Sequence, residues 1–313
     1  MNVMIEFWGD NYQFSFGEII GILEGEEIDY FIIEKDFPVI VLKVEKWEPL
    51  KRAGLIRRIS KHISTSEEIP RISLELENFA VRAKKYRGIS DKSPSHLERK
   101  IGKMIKGRVN LDSPDNIVRV AIVRKIHVGI ELHIAHSPEF EKRRGKNLPV
   151  SYPITMHPRF ARAMVNLARV KRGARILDPF CGTGTILIEA GLAGMIPYGS
   201  DIDEMMLSAS EMNLKKFGIE AHLQLIDVGD IEGEYDAIVT DPPYGRSSST
   251  GGERIYALYE RAFKRFSELV DRVVISLPNE RAIRIGKKYF TLKEVYPVRV
   301  HKSLTRYFSY FHI

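Results

Sequence analysis

Residues 241–245 read Asp241-Pro242-Pro243-Tyr244-Gly245 and follow the apolar run Ala237-Ile238-Val239-Thr240 directly. Two consecutive prolines fix two φ angles and remove two backbone donors. Their carbonyls remain acceptors, flanked by an acid and an aromatic ring. Such a turn suits a flat group that carries an exocyclic amino group. Asp241 and the carbonyl of Pro242 or Pro243 accept its two N–H bonds, and Tyr244 stacks on its face.

Three more acids follow apolar runs upstream: Asp178, Asp201 and Asp227. The first opens Asp178-Pro179-Phe180-Cys181-Gly182-Thr183-Gly184-Thr185. Gly182 and Gly184 permit a tight strand-to-helix turn and a close backbone approach to a ligand. The dinucleotide pattern G-x-G-x-x-G is incomplete, because position 187 is Leu, and the Lys-Ser/Thr of a phosphate loop is missing. An acid at this turn opposes phosphate and suits an ammonium group. S-adenosylmethionine fits, with its α-amino group, its sulfonium and no phosphate. Asp201 stands 23 residues after Asp178, where a carboxylate accepts both ribose hydroxyls, and Asp203 competes for that role across Ile202. Asp227 and Val228 stand where an adenine amino group is accepted.

The elements that carry these acids alternate. The pattern predicts a helix over 157–170, a strand over 175–178, a helix over 186–192 and a strand over 197–201. A helix over 204–217 stops at Gly218, and strands follow over 222–226 and 235–240. A helix over 256–269 and strands over 272–276, 289–295 and 304–312 complete the series. Alternating β and α argues a doubly wound parallel sheet, in which ligands bind at the carboxyl ends of the strands. Upstream, 16–23 reads as a helix and 69–76 as extended. Residues 95–105 read as a helix capped by Ser95 with Glu98 three positions on. Residues 116–123 and 127–133 read as paired strands, and 138–150 as a polar linker.

Charge divides the chain further. Residues 1–50 hold 3 Lys/Arg and 11 Asp/Glu, net −8, whereas residues 51–108 hold 16 and 6, net +10. A sign change near residue 50 suggests a domain boundary. The focused basic segment suggests a polyanionic partner, since phosphate contacts supply most sequence-independent affinity. The single cysteine, Cys181, excludes an intramolecular disulfide and a cysteine-rich zinc site. No metal-ligand spacing, signal peptide or membrane-spanning run is visible, so the expectation is a cytoplasmic, metal-free protein.

Residues 153–313 resemble class I S-adenosylmethionine-dependent methyltransferases, and Asp-Pro-Pro-Tyr resembles the motif of those that methylate exocyclic amino nitrogens. The resemblance assigns Asp241, Pro242, Pro243 and Tyr244 to catalysis. It assigns Asp178, Pro179, Cys181, Gly182, Thr183, Gly184, Asp201, Ile202, Asp203, Asp227, Val228 and Asp241 to the cofactor. Thr155 joins them from Pro153-Ile154-Thr155-Met156-His157-Pro158-Arg159, similar to the segment that helps hold the cofactor's methionine end. The first half resembles the N-terminal ferredoxin-like and THUMP modules of tRNA-modifying enzymes. The whole order, with Val300-His301-Lys302-Ser303-Leu304-Thr305-Arg306 at the end, is similar to archaeal tRNA guanosine-N2 methyltransferases of the position-10 type.

That resemblance implies an α/β protein. A ferredoxin-like domain would span 1–53, a THUMP domain 54–140, a linker 141–152 and a Rossmann-like methyltransferase domain 153–313. It implies a monomer whose partner is tRNA, held by Lys84, Lys85, Arg87, Lys100, Lys103 and Arg246. Arg246 with Ser247-Ser248-Ser249-Thr250-Gly251-Gly252 would close over the target. Three alternatives stay open. Adenine N6 or ribosomal guanine N2 is another target of the same chemistry. An RNA-binding protein with an inactive methyltransferase domain is a second. A dinucleotide oxidoreductase is the third, and the missing third glycine disfavours it.

Overall fold

The strands of the first unit come from short apolar runs that the sequence separates with turns. A computed structural model describes residues 1–86, 93–135, 137–152, 155–245, 254–301 and 304–313. The chain divides into two compact units. One comprises Met1–Ser15, Ile28–Lys51 and Leu55–His136, and the other Phe16–Glu27, Arg52–Gly54 and Ser137–Ile313.

In chain order, the first half contains β1 (Asn2–Phe7), α1 (Tyr12–Gly25), β2 (Tyr30–Asp36), β3 (Val39–Val44) and β4 (Ile56–Ser66). Next come β5 (Leu74–Lys85), α2 (Pro94–Gly102), β6 (Ile105–Val109), β7 (Asn116–Ile122) and β8 (Ile126–Ile134). These strands form one eight-stranded sheet in the order β2-β3-β1-β4-β8-β7-β5-β6. The sequence reading puts a boundary at residue 53. The sheet runs through that position, because β1 pairs with β4 antiparallel from Val3 opposite Lys61 to Phe7 opposite Ile56. Leu97 and Ile101 of α2 pack with Phe79, Val81, Val118 and Val128 in one buried cluster.

Helix α2 starts earlier than the expected cap. Ser93 is the N-cap and Pro94 occupies the first turn, so Ser95 lies inside the helix. Proline favours that position because its missing N–H is unneeded there. Glu98 turns away from the helix start and accepts the backbone N–H of Ala83 at 2.8 Å.

Helix α1 is longer than the expected 16–23, and from Phe16 onward it belongs with the second unit. Glycines at a spacing of four explain this. A Cβ on Gly25 would lie 2.7 Å from the Val170 carbonyl oxygen, and one on Gly21 would lie closer still to the Asn166 carbonyl oxygen. Only hydrogen at these positions lets the helix lie directly against the 158–170 segment. Glu18, fully buried, locks the contact by accepting from Asn166 Nδ2 at 2.8 Å and Gly54 N at 2.7 Å.

The second unit continues with α3 (Ser137–Lys142), α4 (Pro158–Leu167), β9 (Arg175–Asp178), α5 (Thr185–Leu192), β10 (Ile196–Asp201) and α6 (Glu204–Lys216). Then follow β11 (His222–Leu225), β12 (Ala237–Thr240), α7 (Ile255–Leu269) and β13 (Arg272–Leu277). The last elements are α8 (Glu280–Gly286), β14 (Thr291–His301) and β15 (Leu304–His312). The sheet order is β11-β10-β9-β12-β13-β15-β14. Strands β9 to β13 run parallel, and β13, β15 and β14 pair antiparallel. This is the doubly wound sheet that the alternation predicts, closed by an antiparallel edge. Phe263, Phe266 and Phe311 pack on Leu177, Ile238 and Ile275 at its centre.

The expected linker is structured. Residues 137–142 form α3, a single 3-10 turn covers 145–147, and Arg143 is buried. Its guanidinium meets Glu189 of α5 at 2.5 Å, and Arg162 of α4 meets the same carboxylate at 2.8 Å. A buried carboxylate requires such partners, so one member of the basic run Lys142-Arg143-Arg144-Gly145-Lys146 turns inward.

Candidate active site

The strand order reverses between β9 and β12. Chain connections run from β9 to β10 and β11 on one side and to β12 and β13 on the other. A crevice opens at such a switch point, and its floor is made by the strand ends. Asp178 ends β9 and Asp241 follows β12, so the sheet places both acids there. Thr240, fully buried, joins them: its hydroxyl donates to Asp178 Oδ1 at 2.6 Å.

Asp178 is 1% exposed. Burial pushes its carboxyl up to about 7 against the bonds from Thr240 and the Phe180 N–H, and the Asp241 and Asp201 charges add to the rise. Both hydrogen bonds that this side chain accepts among the described residues end on Oδ1.

The glycine turn that follows has the conformation the sequence requires. Gly182 has φ 50° and Gly184 φ 80°. A Cβ on Gly184 would strike the Ser210 hydroxyl, whereas Gly182 has open space on that side. Pro179 and Thr183 are buried, and the Cys181 side chain lies in an apolar cluster with Leu148, Leu187 and Leu214. Burial pushes the Cys181 thiol up, and the Asp178 and Asp201 charges push it further. Cys181 therefore faces the core and offers the turn only its backbone, which donates to Ser200 O at 3.0 Å.

Asp201 ends β10 and accepts the Gly182 N–H at 2.9 Å and the Asp203 N–H at 3.1 Å. Burial raises its carboxyl above the ordinary range against these bonds. Asp203 serves instead as N-cap of α6, accepting from Met205 N at 2.9 Å. Ile202 between them is half-exposed at 49%. Asp227 is bridged by both Arg261 terminal nitrogens, from α7, and by Gly229 N at 2.8 Å. Burial alone would raise Asp227, and the Arg261 bonds outweigh it and hold it low. The Val228 side chain is buried in the core beside Ile231.

At the proline turn, the Tyr244 hydroxyl donates to Asp241 Oδ1 at 2.6 Å and lies 2.5 Å from Ser276 Oγ of β13. Burial pushes that phenol well above its ordinary value, and the Asp241 charge adds to the effect. Asp241 Oδ2 pairs with Arg306 of β15, and that guanidinium sits 5.5 Å from the Tyr244 ring centre. Burial would lower Arg306, but the Asp241 charge overcomes it and holds the guanidinium above its ordinary value. The Pro243 carbonyl accepts the Tyr259 hydroxyl at 2.7 Å, and Pro242 is buried.

Arg306, Tyr259, Ser276 and Arg261 are thus neighbours that the sequence reading leaves unassigned. Each lies 16 to 65 residues from its partner in the chain. Only the antiparallel return of β15 beside β13 brings Arg306 to the crevice, and a lone arginine in a closing strand carries no local signal of that.

Thr155 lies within a turn of its own. Its hydroxyl donates to the Tyr152 carbonyl at 2.7 Å and accepts from Tyr152 N at 3.3 Å. In the first unit, Lys84 and Lys85 are adjacent on β5 and so point to opposite faces of the sheet. Burial and the Arg57 charge hold Lys84 below its ordinary value, and Arg58 and Arg119 add positive field. Lys85, Lys100 and Lys103 are exposed. Arg87, Arg246 and the 247–252 stretch lie outside the described residues, as do Pro153, Ile154, Lys302 and Ser303. Among the described residues no group of three His, Cys, Asp or Glu side chains could hold a metal. No helix there is long and apolar enough to cross a membrane.

The family model described as "UPF0020: RMKL-like, methyltransferase domain" matches residues 146–307. A tRNA (guanine(10)-N2)-dimethyltransferase of Methanothermobacter thermautotrophicus is 35% identical over 98% of this chain and 98% of its own length. Its counterpart in Pyrococcus abyssi is 36% identical over 88% of this chain and 90% of its own. TrmN from Thermus thermophilus shares the fold across 100% of both chains, with a TM-score of 0.55 and 19% identity. With a methyltransferase model matching its second unit and such identity along nearly its whole length, the chain belongs to the UPF0020 methyltransferases and, among them, to the family of the archaeal tRNA (guanine(10)-N2)-dimethyltransferases.

Proposed function

We propose that the protein transfers methyl groups from S-adenosylmethionine to the exocyclic N2 of a guanosine in tRNA. Position 10 and two successive transfers follow the names of its relatives. The observation that carries the reading is the placement of Asp178, bonded by the Thr240 hydroxyl, and of the adjoining Asp241 at the switch point of a methyltransferase sheet. The residues suit the cofactor. A buried acid raised to about 7 favours a nearby ammonium, and Gly182 leaves room against the turn. Asp201 at the β10 end suits a ribose, and Asp203 is committed to capping. Asp227, fixed by Arg261, suits an adenine amino group. When bound, the cofactor supplies a methyl on a positive sulfur, a leaving group that needs no metal.

The guanine amine is a poor nucleophile because its lone pair is delocalised into the ring. Asp241 and a proline carbonyl accepting its two N–H bonds would localise that pair. Tyr259 already occupies the Pro243 carbonyl, which favours the Pro242 carbonyl for the substrate. Arg306 and Tyr244 each hold one oxygen of Asp241, so the carboxylate presents a fixed edge. Fixed geometry is where most of the acceleration of a two-reactant transfer originates. The target base must leave its stack to reach such a crevice. The basic first unit, read as a THUMP-type module, would supply phosphate contacts through Lys84, Lys85, Lys100 and Lys103 together with Arg57, Arg58 and Arg119.

The test is direct. The protein is incubated with labelled S-adenosylmethionine and unmodified tRNA, and the labelled nucleoside is identified after digestion. Labelled N2-methylguanosine and its dimethyl form are expected. Labelled N6-methyladenosine, or no label with intact RNA binding, would refute the assignment.

A further inference from the structure

We infer that the pocket between the 144–146 turn and the start of α4 is a subsite for one nucleotide of the RNA strand, with its phosphodiester on Arg144 and Lys146 and its base on Tyr152. The inference rests on the RNA-methylating reading above. The pocket has a volume of about 420 Å³, and its walls include Arg144, Lys146, Tyr152, Thr155, Met156 and His157. That volume lies within the range of roughly 300–1,000 Å³ typical of sites for small organic ligands and exceeds what a lone carboxylate needs.

The basic run supplies the charge. Of Arg143, Arg144 and Lys146, the first turns inward to Glu189, while the other two are exposed on the pocket wall. Among the described residues the Arg144 side chain meets only a surface partner, Glu141 at 3.2 Å, with both side chains about half-exposed. Exposed pairs of this kind are worth little and yield readily to a stronger anion. Lys146 makes no hydrogen bond or ion pair among the described residues. Burial and then the Arg144 charge hold the His157 imidazole below its ordinary value, so positive field from Arg144 reaches across the pocket, offset in part by the Glu141 carboxylate that lies 3.8 Å from the imidazole. A phosphodiester would neutralise that field, and Arg144 offers the planar fork that phosphate oxygens match.

The aromatic wall is set in advance. Tyr152 is 42% exposed. Its backbone is clamped on both sides by the Thr155 hydroxyl, which holds the residue at the pocket wall where a base could stack on its ring. Thr155 spends its hydroxyl on this clamp.

Position links the pocket to the chemistry. Asn213 of α6 joins Val150 to the glycine turn, donating to the Val150 and Thr183 carbonyls at 2.8 and 2.9 Å. On the other side, Phe160 of α4 lies 5.5 Å from Phe308, two residues beyond Arg306. A nucleotide held here is a neighbour in the strand of the extruded target, and gripping it would help hold the target out of its stack.

The experiment compares the full chain with Arg144→Gln/Lys146→Gln, Tyr152→Ala and Tyr152→Phe variants. Unmodified tRNA affinity is measured across a salt series, and S-adenosylmethionine affinity is measured without RNA. The double variant should bind tRNA about tenfold more weakly, with the slope of log affinity against log salt reduced by about 1. Tyr152→Ala should weaken binding about tenfold with the slope unchanged, and Tyr152→Phe should restore it. S-adenosylmethionine affinity should stay within about twofold of the unaltered protein in all three. Unchanged tRNA affinity and slope in the variants, while the unaltered protein methylates tRNA, would overturn this inference alone. Loss of cofactor affinity would also overturn it, by assigning the pocket to the cofactor's carboxylate. Failure of the unaltered protein to bind tRNA would overturn this inference and the reading beneath it.

Discussion

Asp178→Asn should stabilise the ligand-free protein above neutral pH while abolishing its use of cofactor. The carboxyl ordinarily titrates at 3.8 and is raised to about 7 in the fold. A raised acid favours folding only while protonated. Its contribution is complete below the unfolded value and is lost as pH climbs through the folded one. The full difference is about 3 pH units, or roughly 4 kcal/mol at 1.36 kcal/mol per unit. About 3 kcal/mol of this is lost between about pH 5 and pH 8, since about two of those units lie in that interval. Asparagine keeps the geometry, because the Thr240 and Phe180 donors both end on Oδ1, which an amide oxygen can replace. It carries no charge at either pH. In scanning calorimetry the transition of the second unit should therefore melt about 8–16 °C higher in the variant than in the unaltered protein near pH 8, where nearly the full difference applies. The gap should shrink steadily towards pH 5. S-adenosylmethionine binding should fall sharply near pH 8, because the counter-charge for its ammonium is gone, and by less near pH 5, where the unaltered acid is itself mostly protonated. Parallel melting curves for the two proteins across this range would refute the claim that burial strains Asp178 in the empty site. A stabilised variant that binds cofactor normally would refute the ammonium assignment.

In the unaltered protein, the same titration should weaken S-adenosylmethionine binding as pH falls below about 7, approaching tenfold per unit, since the ionised acid is the form that binds. A pH-independent dissociation constant measured by calorimetric titration would contradict this. Asp241→Ala should lose turnover by at least about a hundredfold, the scale of removing one preorganised polar partner, with a much smaller loss of cofactor affinity. Arg306→Met should lower turnover with cofactor affinity intact, and Arg306→Lys should recover part of it by restoring the charge beside Asp241 Oδ2. Equal rates for Met and Lys would show that the ion pair is unimportant to turnover. Lys84→Gln with Arg119→Gln should weaken tRNA binding and flatten its salt dependence, with cofactor affinity unchanged, because both cations contribute to one positive field. Gly25→Val should destabilise the protein by about 1–3 kcal/mol in urea unfolding, because its side chain would press on the Val170 backbone.

Much of the site is legible in the sequence because its parts are local. Asp178 and Asp241 each follow an apolar run and Asp201 ends the intervening strand, and a parallel sheet brings strand ends to one edge whatever lies between them. The glycines at 182 and 184 announce a left-handed turn, and both have positive φ. The helix start at Ser93 was less legible, since Ser95 with Glu98 matches a capping pattern equally well. Pro94 decides it, and Glu98 finds a better partner in the neighbouring strand.

By itself, then, the sequence determined the alternation of elements in the second unit, the acids at the strand ends, the double-proline turn after Thr240 and the concentration of positive charge after residue 50. Only the tertiary structure decided what those groups meet. It paired Asp241 with Arg306 and Asp227 with Arg261, and it turned the Cys181 side chain into the core. It also divided a basic run into one structural arginine and two cations on a pocket wall, and it ran one sheet across the expected boundary at residue 53. The physical reason is the range of the interactions. Turn chemistry and hydrophobic period act over a few residues and can be read along the chain. Ion pairs and burial are set by whichever strand or helix returns alongside, and that is fixed only when the sheet closes.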